Sequence, residues 1–377
     1  MKRAIALYMA TLFFGAFMVG AETTVDGRPA LVLEGKAAKL VVDLGGGSIA
    51  DFHLQGSDLN PLAWDSWSFS ENPDDPPTPG PRSMGHFLCL DRWGPASAAE
   101  TANGMGWHGE ASRVVWKVVE KAKKKKDGIR AEMAAVLPMG GLTVERRIRL
   151  AKEAAVFVVS ESVTNDKPLG RIYNMVQHPT IGPPFLDETT VVDANARKGF
   201  MQGGSLPNPE EPSVYWPQAL TRDGKAVNLR HLTDDPQPNV ASYVIDEEYG
   251  WTTASNATKR LLIGYIWKTE DYPWFDAWRH VADGKPFARG LEFGTSGLHQ
   301  PFPILVEKGR IFGRKIFEHI DAGETQTRSY ACFLLEISDG YQGVARISYR
   351  DGELTLWERD GSPEEKLVMT VGELFVD

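Results

Sequence analysis

Two adjoining stretches, LTVERRIRL (142–150) and AAVFVVSESVTND (154–166), alternate apolar and polar residues with a period of two. That period belongs to a half-buried β-strand, because successive side chains leave a strand on opposite faces. Val144, Arg146, Ile148 and Leu150 therefore share one face. The same texture runs through most of the chain. LVLEGKAAKLVVDLGGGSIADFHLQG (31–56) reads as strand, turn, strand, glycine-rich bend, strand. SRVVWKVVEKAKKKKDGIRAEMAAVL (112–137) and RISYRDGELTLWERDG (346–361) read as hairpins turning at Asp-Gly, a pair that accepts the positive φ of a tight turn. Helical periodicity is nearly absent, and WFDAWRHVADG (274–284) is the one modest helix candidate. The expected fold is all-β, with two large stacked antiparallel sheets in a single domain over residues 22–377.

Two stretches interrupt the pattern. SENPDDPPTPGPRSM (70–84) and QGGSLPNPEEPSVYWPQAL (202–220) carry too much proline for a sheet interior and read as long loops. Long loops at one end of a sandwich shape a ligand site or decorate the surface, and the sequence leaves both open. A third proline-rich stretch, VQHPTIGPPFLDE (176–188), follows a strand-like run. Pro179 biases His178 toward an extended backbone, so His178 is expected at the end of a strand with its ring held in one direction.

The first 21 residues, MKRAIALYMATLFFGAFMVGA, have Lys2 and Arg3, an apolar run too short for a span, and Val19 and Ala21 where a signal peptidase reads. An exported protein, periplasmic or secreted, is the expectation. Its leader holds two basic residues and no acidic ones, so the mature chain has 39 basic against 50 acidic side chains, a net charge of −11. Such a balance gives no general attraction for nucleic acid or an anionic membrane surface, and no other stretch qualifies as a span, so membrane insertion is not expected. The lone basic run, EKAKKKKDG (120–128), reads as a solvated hairpin tip. Cys89 and Cys332 are the only cysteines, and either a disulfide or two buried thiols fits them.

Four of the eight histidines, His53, His231, His280 and His319, have ordinary surroundings. The others, His86, His108, His178 and His299, occupy glycine- or proline-rich strand ends, and Glu292 precedes a glycine turn of its own in ARGLEFGTSG. No spacing makes a zinc site, no Gly-x-Ser-x-Gly elbow is present, and neither metal nor cofactor is called for.

Four segments, in order, resemble the aldose 1-epimerase (galactose mutarotase-like) superfamily in its broader bacterial branch. They are DLGGGSIADFHLQGSDLNPL (43–62), HGEASRVVWKV (108–118), the run from LTVERRIRL to QHPTIGPPFLDE (142–188), and RGLEFGTSG (289–297) with IDAGETQTRSYACFLLEI (320–337). The resemblance implies a β-supersandwich with a sugar on its concave face. It implies Glu292 as the base that takes the anomeric proton and His178 as the acid that protonates the ring oxygen. It further implies His108 and Arg92 as groups that hold the sugar, with Gln177, His299, Trp274 and Asp276 as further substrate contacts. Trp93, Trp107 and Trp278 lie near the same motifs and could stack on a pyranose. The partner implied is a small sugar or the end of a glycan. Where the galactose mutarotases have an Asn-His-Thr-type strand, this chain has Gln177-His178-Pro179. The expected activity is interconversion of sugar anomers. A non-catalytic carbohydrate binder and a lyase of uronic-acid polymers are the alternatives on such a scaffold.

Overall fold

The computed structural model describes residues 23–69, 80–231, 239–282, 284–362 and 364–375. The leader and most of the 70–84 loop lie outside the described residues. Strands dominate, as the alternation predicts, and they gather into a 12-stranded sheet and an 8-stranded sheet stacked face to face. Five neighbouring strands of the larger sheet carry the site: β1 (His86–Asp91), β2 (Arg171–Ile181), β3 (Asn239–Ile245), β4 (Trp274–Ala282) and β5 (Lys285–Gly294), in the spatial order β1-β2-β5-β4-β3.

Alternation sorts their side chains. Leu88 and Leu90 of β1, Tyr173 and Met175 of β2, Phe275 of β4, and Leu291 and Phe293 of β5 point into the space between the sheets. There they meet Val144, Ile148, Phe157, Val159, Ile263, Tyr265 and Trp267 of the 8-stranded sheet. The intervening residues of the same strands, among them Phe87, Cys89, Val176 and Ala288, form a separate cluster on the opposite face. That second face lines the cleft described below.

A three-stranded sheet, built from Val344–Arg350, Glu353–Glu358 and Lys366–Thr370, adds a third layer. Its Ile347, Leu354 and Leu356 pack on Val156, Val158, Trp251, Leu262 and Phe333, on the outer face of the 8-stranded sheet. This explains why LLIGYIWK (261–268) is buried at almost every position rather than at alternate ones. Its first hairpin turns at Asp351 (φ 52°) and Gly352 (φ 78°), the left-handed pair that Asp-Gly was expected to supply. The basic hairpin also forms, with Lys125 opposite Gly128 and its lysines along the outer edge, where they discourage pairing with another sheet.

Several expectations are corrected. WFDAWRHVADG is not helical: Trp274–Ala282 is strand β4, hydrogen-bonded to β3 on one side and β5 on the other. Its aromatic and β-branched residues suit a sheet that pairs on both edges, and tertiary pairing overrides its weak helical spacing. The 202–220 stretch is not all loop, since Val214–Tyr215 and Gln218–Leu220 are short strands, and Trp216 packs against Tyr243 and Phe275. Nor does β2 stop at His178. It runs on to Ile181, with His178 opposite Phe87 and Pro179 opposite His86 on β1. Toward β5 the paired residues are Gln177 with Phe293 and then Thr180 with Gly290. The missing N–H of Pro179 falls in the gap between these pairs, so the proline costs the ladder little. Cys89 and Cys332 are buried free thiols on opposite sides of the 12-stranded sheet.

Candidate active site

On the concave face of the large sheet lies a cleft of about 720 Å³. His178 and Glu292 share its floor. They are in direct contact: His178 Nε2 is 3.2 Å from Glu292 Oε1. The neighbours of each fix its orientation. Trp93 Nε1 donates to Glu292 Oε2 at 2.8 Å, and Phe87 stacks on the His178 ring with centroids 4.2 Å apart. His178 Nδ1 lies 3.0 Å from the Thr180 hydroxyl, two residues along the same face of β2. Gly290 makes room for the carboxyl, since a Cβ there would come within 2.6 Å of Glu292 Oε1.

Burial sets the charges. Desolvation raises the Glu292 carboxyl well above the ordinary range, and the neighbouring Asp276 carboxylate raises it further. Desolvation also lowers His178, to about 3. Glu292 therefore holds the proton and His178 is neutral. The polarity of the pair is self-consistent: indole N–H to one carboxyl oxygen, carboxyl proton toward Nε2, Nδ1–H toward Thr180. A carboxylic acid beside a neutral imidazole carries one proton to give and one lone pair to accept another.

His108 stands at the cleft wall, its ring centroid 5.4 Å from that of His178 and 5.5 Å from that of His299. Burial, then the neighbouring His178 and His299, hold its pKa well below the ordinary value, and burial lowers His299 to about 4. Both His108 nitrogens face donors: the Gly94 N–H at Nδ1 (3.1 Å) and the Trp107 indole at Nε2 (2.8 Å). A neutral imidazole has a single lone pair. The backbone donor is fixed by the fold, so Nδ1 accepts, Nε2 carries its proton into the cleft, and the half-exposed Trp107 indole is the group that yields.

Asp276 sits beneath this floor, opposite Glu292 in the β4–β5 ladder and fully buried. Burial raises it well above the ordinary range, and the neighbouring Ser242 hydroxyl offsets this only in part. It stands beside Glu292 on the same face of the sheet but does not line the cleft.

Three expected contacts lie elsewhere. Gln177 is one residue from His178 and so points the other way, into the core, where its amide donates to Glu161 and Tyr272 and its oxygen meets His86. Trp274 has the cleft parity but is covered: it packs on Phe200 and Phe312, and its indole donates to the Lys315 carbonyl. Arg92 is held by Asp91 and Glu100 over the Phe302 ring and faces a separate hollow. His86, despite its glycine-flanked strand end, belongs to the core with Gln177. Conversely, Trp64, Phe69, Phe87, Ser112 and Arg113 line the cleft without having been singled out. Phe87 was within reach of sequence reasoning, since it alternates with His86 and Leu88; the rest come from loops with no periodic signal. Pro81, Arg82 and Ser83 line it too, so the described end of the 70–84 loop shapes the site.

No family model matches the sequence, and no curated protein matches it closely enough to report. Solved structures do resemble it. A galactose mutarotase-like protein from Clostridium acetobutylicum aligns with 84% of this chain and 98% of its own at 13% identity, with a TM-score of 0.58. Slr1438 protein from Synechocystis sp. PCC 6803 aligns with 85% of this chain and 100% of its own at 14% identity, TM-score 0.57. A galactose mutarotase related enzyme from Lactobacillus acidophilus gives 82% and 98% at 13% identity, TM-score 0.55. Likeness at this identity speaks for architecture alone, and what it establishes is that the chain has the galactose mutarotase-like, or aldose 1-epimerase-type, β-sandwich fold.

Proposed function

We propose that the protein is an exported enzyme that interconverts the anomers of an aldose by acid/base ring opening. The observation that carries this is the buried His178–Glu292 pair at 3.2 Å on the floor of an aromatic cleft. Mutarotation asks for one proton taken and one given at two oxygens on the same carbon. One member of the pair removes the proton from the anomeric hydroxyl as C1=O forms. The other protonates the ring oxygen as its bond to C1 breaks. The open aldehyde turns about C1–C2, and the reverse transfers close the other anomer. Each positioned group contributes on the order of 10²–10⁴-fold.

The pair arrives with a single shared proton, so both roles are filled whichever member holds it. With the proton on Glu292, Glu292 is the donor and His178 the acceptor. The roles implied by the family resemblance, Glu292 as base and His178 as acid, require that proton to cross the 3.2 Å contact first. His108 Nε2–H and His299 are placed to bind hydroxyls, and Trp107 and Trp278 to stack on the ring. A protein that merely binds sugar gains nothing from burying a carboxylic acid against an imidazole, which favours the enzyme. Polarimetry on freshly dissolved aldoses is the test: equilibration should be faster with protein than in buffer for at least one sugar, and no acceleration on any of them rejects the reading.

A further inference from the structure

Beyond the catalytic floor, the cleft is larger than one sugar needs. A hexose displaces roughly six waters, or about 180 Å³ at water's share of about 30 Å³ each. The cleft offers about 720 Å³. Two of its lining aromatics are about half exposed, Trp107 at 51% and Phe69 at 49%. Trp107 stands beside His108 and His299 at the reacting end. Phe69 lies away from it, two ring-to-ring steps from His178: 5.9 Å from His178 to Trp278, then 6.3 Å from Trp278 to Phe69. The two exposed rings thus meet the reacting floor through different neighbours, Trp107 through His108 and Phe69 through Trp278.

Phe69 is also held rigidly, which an incidental surface phenylalanine need not be. It ends the 3₁₀ turn Ser66–Phe69, whose Trp67 and Ser68 amides are tied to Asp65. Asp65 is in turn gripped by Arg82 at 2.8 Å. Trp64, Trp278, His280 and Phe287 buttress the ring at centroid distances of 6.0, 6.3, 5.2 and 5.3 Å. About half of Phe69 stays exposed where it lines the cleft, a preorganised platform of the kind that stacks on a sugar at little entropic cost. Ser66, Ser83, Ser112 and Arg113 supply hydroxyl and guanidinium groups along the same cleft, and Arg113 has no ion-pair partner among the described residues.

We infer that the cleft takes a reducing oligosaccharide of at least two units, with its reducing unit over Glu292 and His178 and the next unit stacked on Phe69. This rests on the anomer-interconverting reading for the orientation of the chain, while the second subsite stands on volume and ring geometry. The test is isothermal titration of the wild type and Phe69→Ala with glucose, maltose, cellobiose and lactose. All three disaccharides end in a reducing glucose, so they differ from glucose only by the added unit. At least one should bind about 10-fold more tightly than glucose, and Phe69→Ala should bring that ratio to about one while the variant stays folded and still binds glucose. Disaccharides that bind no more tightly than glucose, or a preference that survives Phe69→Ala, overturn the inference. Polarimetry on the same four sugars separates the two ideas. A disaccharide preference without any rate enhancement removes the epimerase reading alone. Enhanced rates without a disaccharide preference remove the second subsite alone.

Discussion

At the scale of single residues, the site depends on parity along a strand. His178 and Gln177 are neighbours in sequence, yet one meets the cleft and the other a buried network of Glu161, Tyr272 and His86. The sequence made His178 and Glu292 legible through the two segments, QHPTIGPPFLDE and RGLEFGTSG, that resemble the family. It could not say that they touch. If they work as one unit, His178→Ala and Glu292→Gln should each cut the mutarotation rate by about 10²–10⁴-fold. The double variant should lose little more, since either loss already breaks the unit. Polarimetry on variants shown folded by thermal melts checks this; near-normal rates in both folded single variants would refute the pairing. Asp276 offers a finer test. Glu292 is raised by burial first and by Asp276 second, and the alkaline limb of the rate profile reports loss of the pair's last proton, from Glu292. Burial raises Asp276 as well, so the two carboxyls oppose each other's ionisation, and Asp276→Asn removes that opposition and makes Glu292 easier to ionise. That alkaline limb should move to lower pH, whereas a residue acting only in packing would change the stability and leave the limb in place.

Among the elements, the C-terminal three-stranded sheet depends most on a single residue. Asp193 is fully buried and accepts from Arg230 Nε at 2.6 Å, Arg359 Nη2 at 3.1 Å and the Val344 amide at 2.9 Å. Arg359 and Val344 belong to the outer layer, while Asp193 lies in the strand Val191–Ala194 of the 8-stranded sheet. One carboxylate thus fastens the third layer to the second. Asp193→Ala should cost about 3 kcal/mol, the usual scale for removing one partner of a buried ion pair. Hydrogen exchange should show residues 344–370 opening first, with β2 and β5 still protected. Uniform loss of protection would mean that the sheet is not separately fastened. This hairpin was legible from Asp351-Gly352, a local signal; its place outside the second sheet was not, because no residue in it names its partner. The failure at β4 has the same root. Trp274–Ala282 holds little helical spacing and ample strand propensity, and only pairing on both edges settles the choice.

At the scale of the whole molecule, export and acid sensitivity can both be measured. The mature N-terminus is expected at Glu22, and N-terminal sequencing of secreted material that still begins at Met1 would refute the leader. Burial keeps His178 and His299 neutral in the fold, with pKa values lowered to about 3 and about 4 from an ordinary 6.5. Below pH 6.5 the unfolded chain gains protons that the fold refuses, so this stability is present above about 6.5 and is lost as pH falls toward 4. The melting temperature should drop between pH 7 and pH 5, and His299→Gln should drop less; equal drops would show that His299 is not held neutral. The alternation in the sequence by itself determined an all-β chain and its hairpins, because periodicity and turn chemistry are properties of short segments, while Glu292 and His178 were singled out by the resemblance of their motifs. Only the tertiary structure decided that Arg92, Gln177 and Trp274 leave the cleft, that Phe69 and Arg113 enter it, and that His178 lies 3.2 Å from Glu292. Those outcomes depend on which strands become neighbours and which face is covered. Pairing between residues more than a hundred positions apart is fixed by the summed burial of the whole sandwich, and no single stretch of the chain carries it.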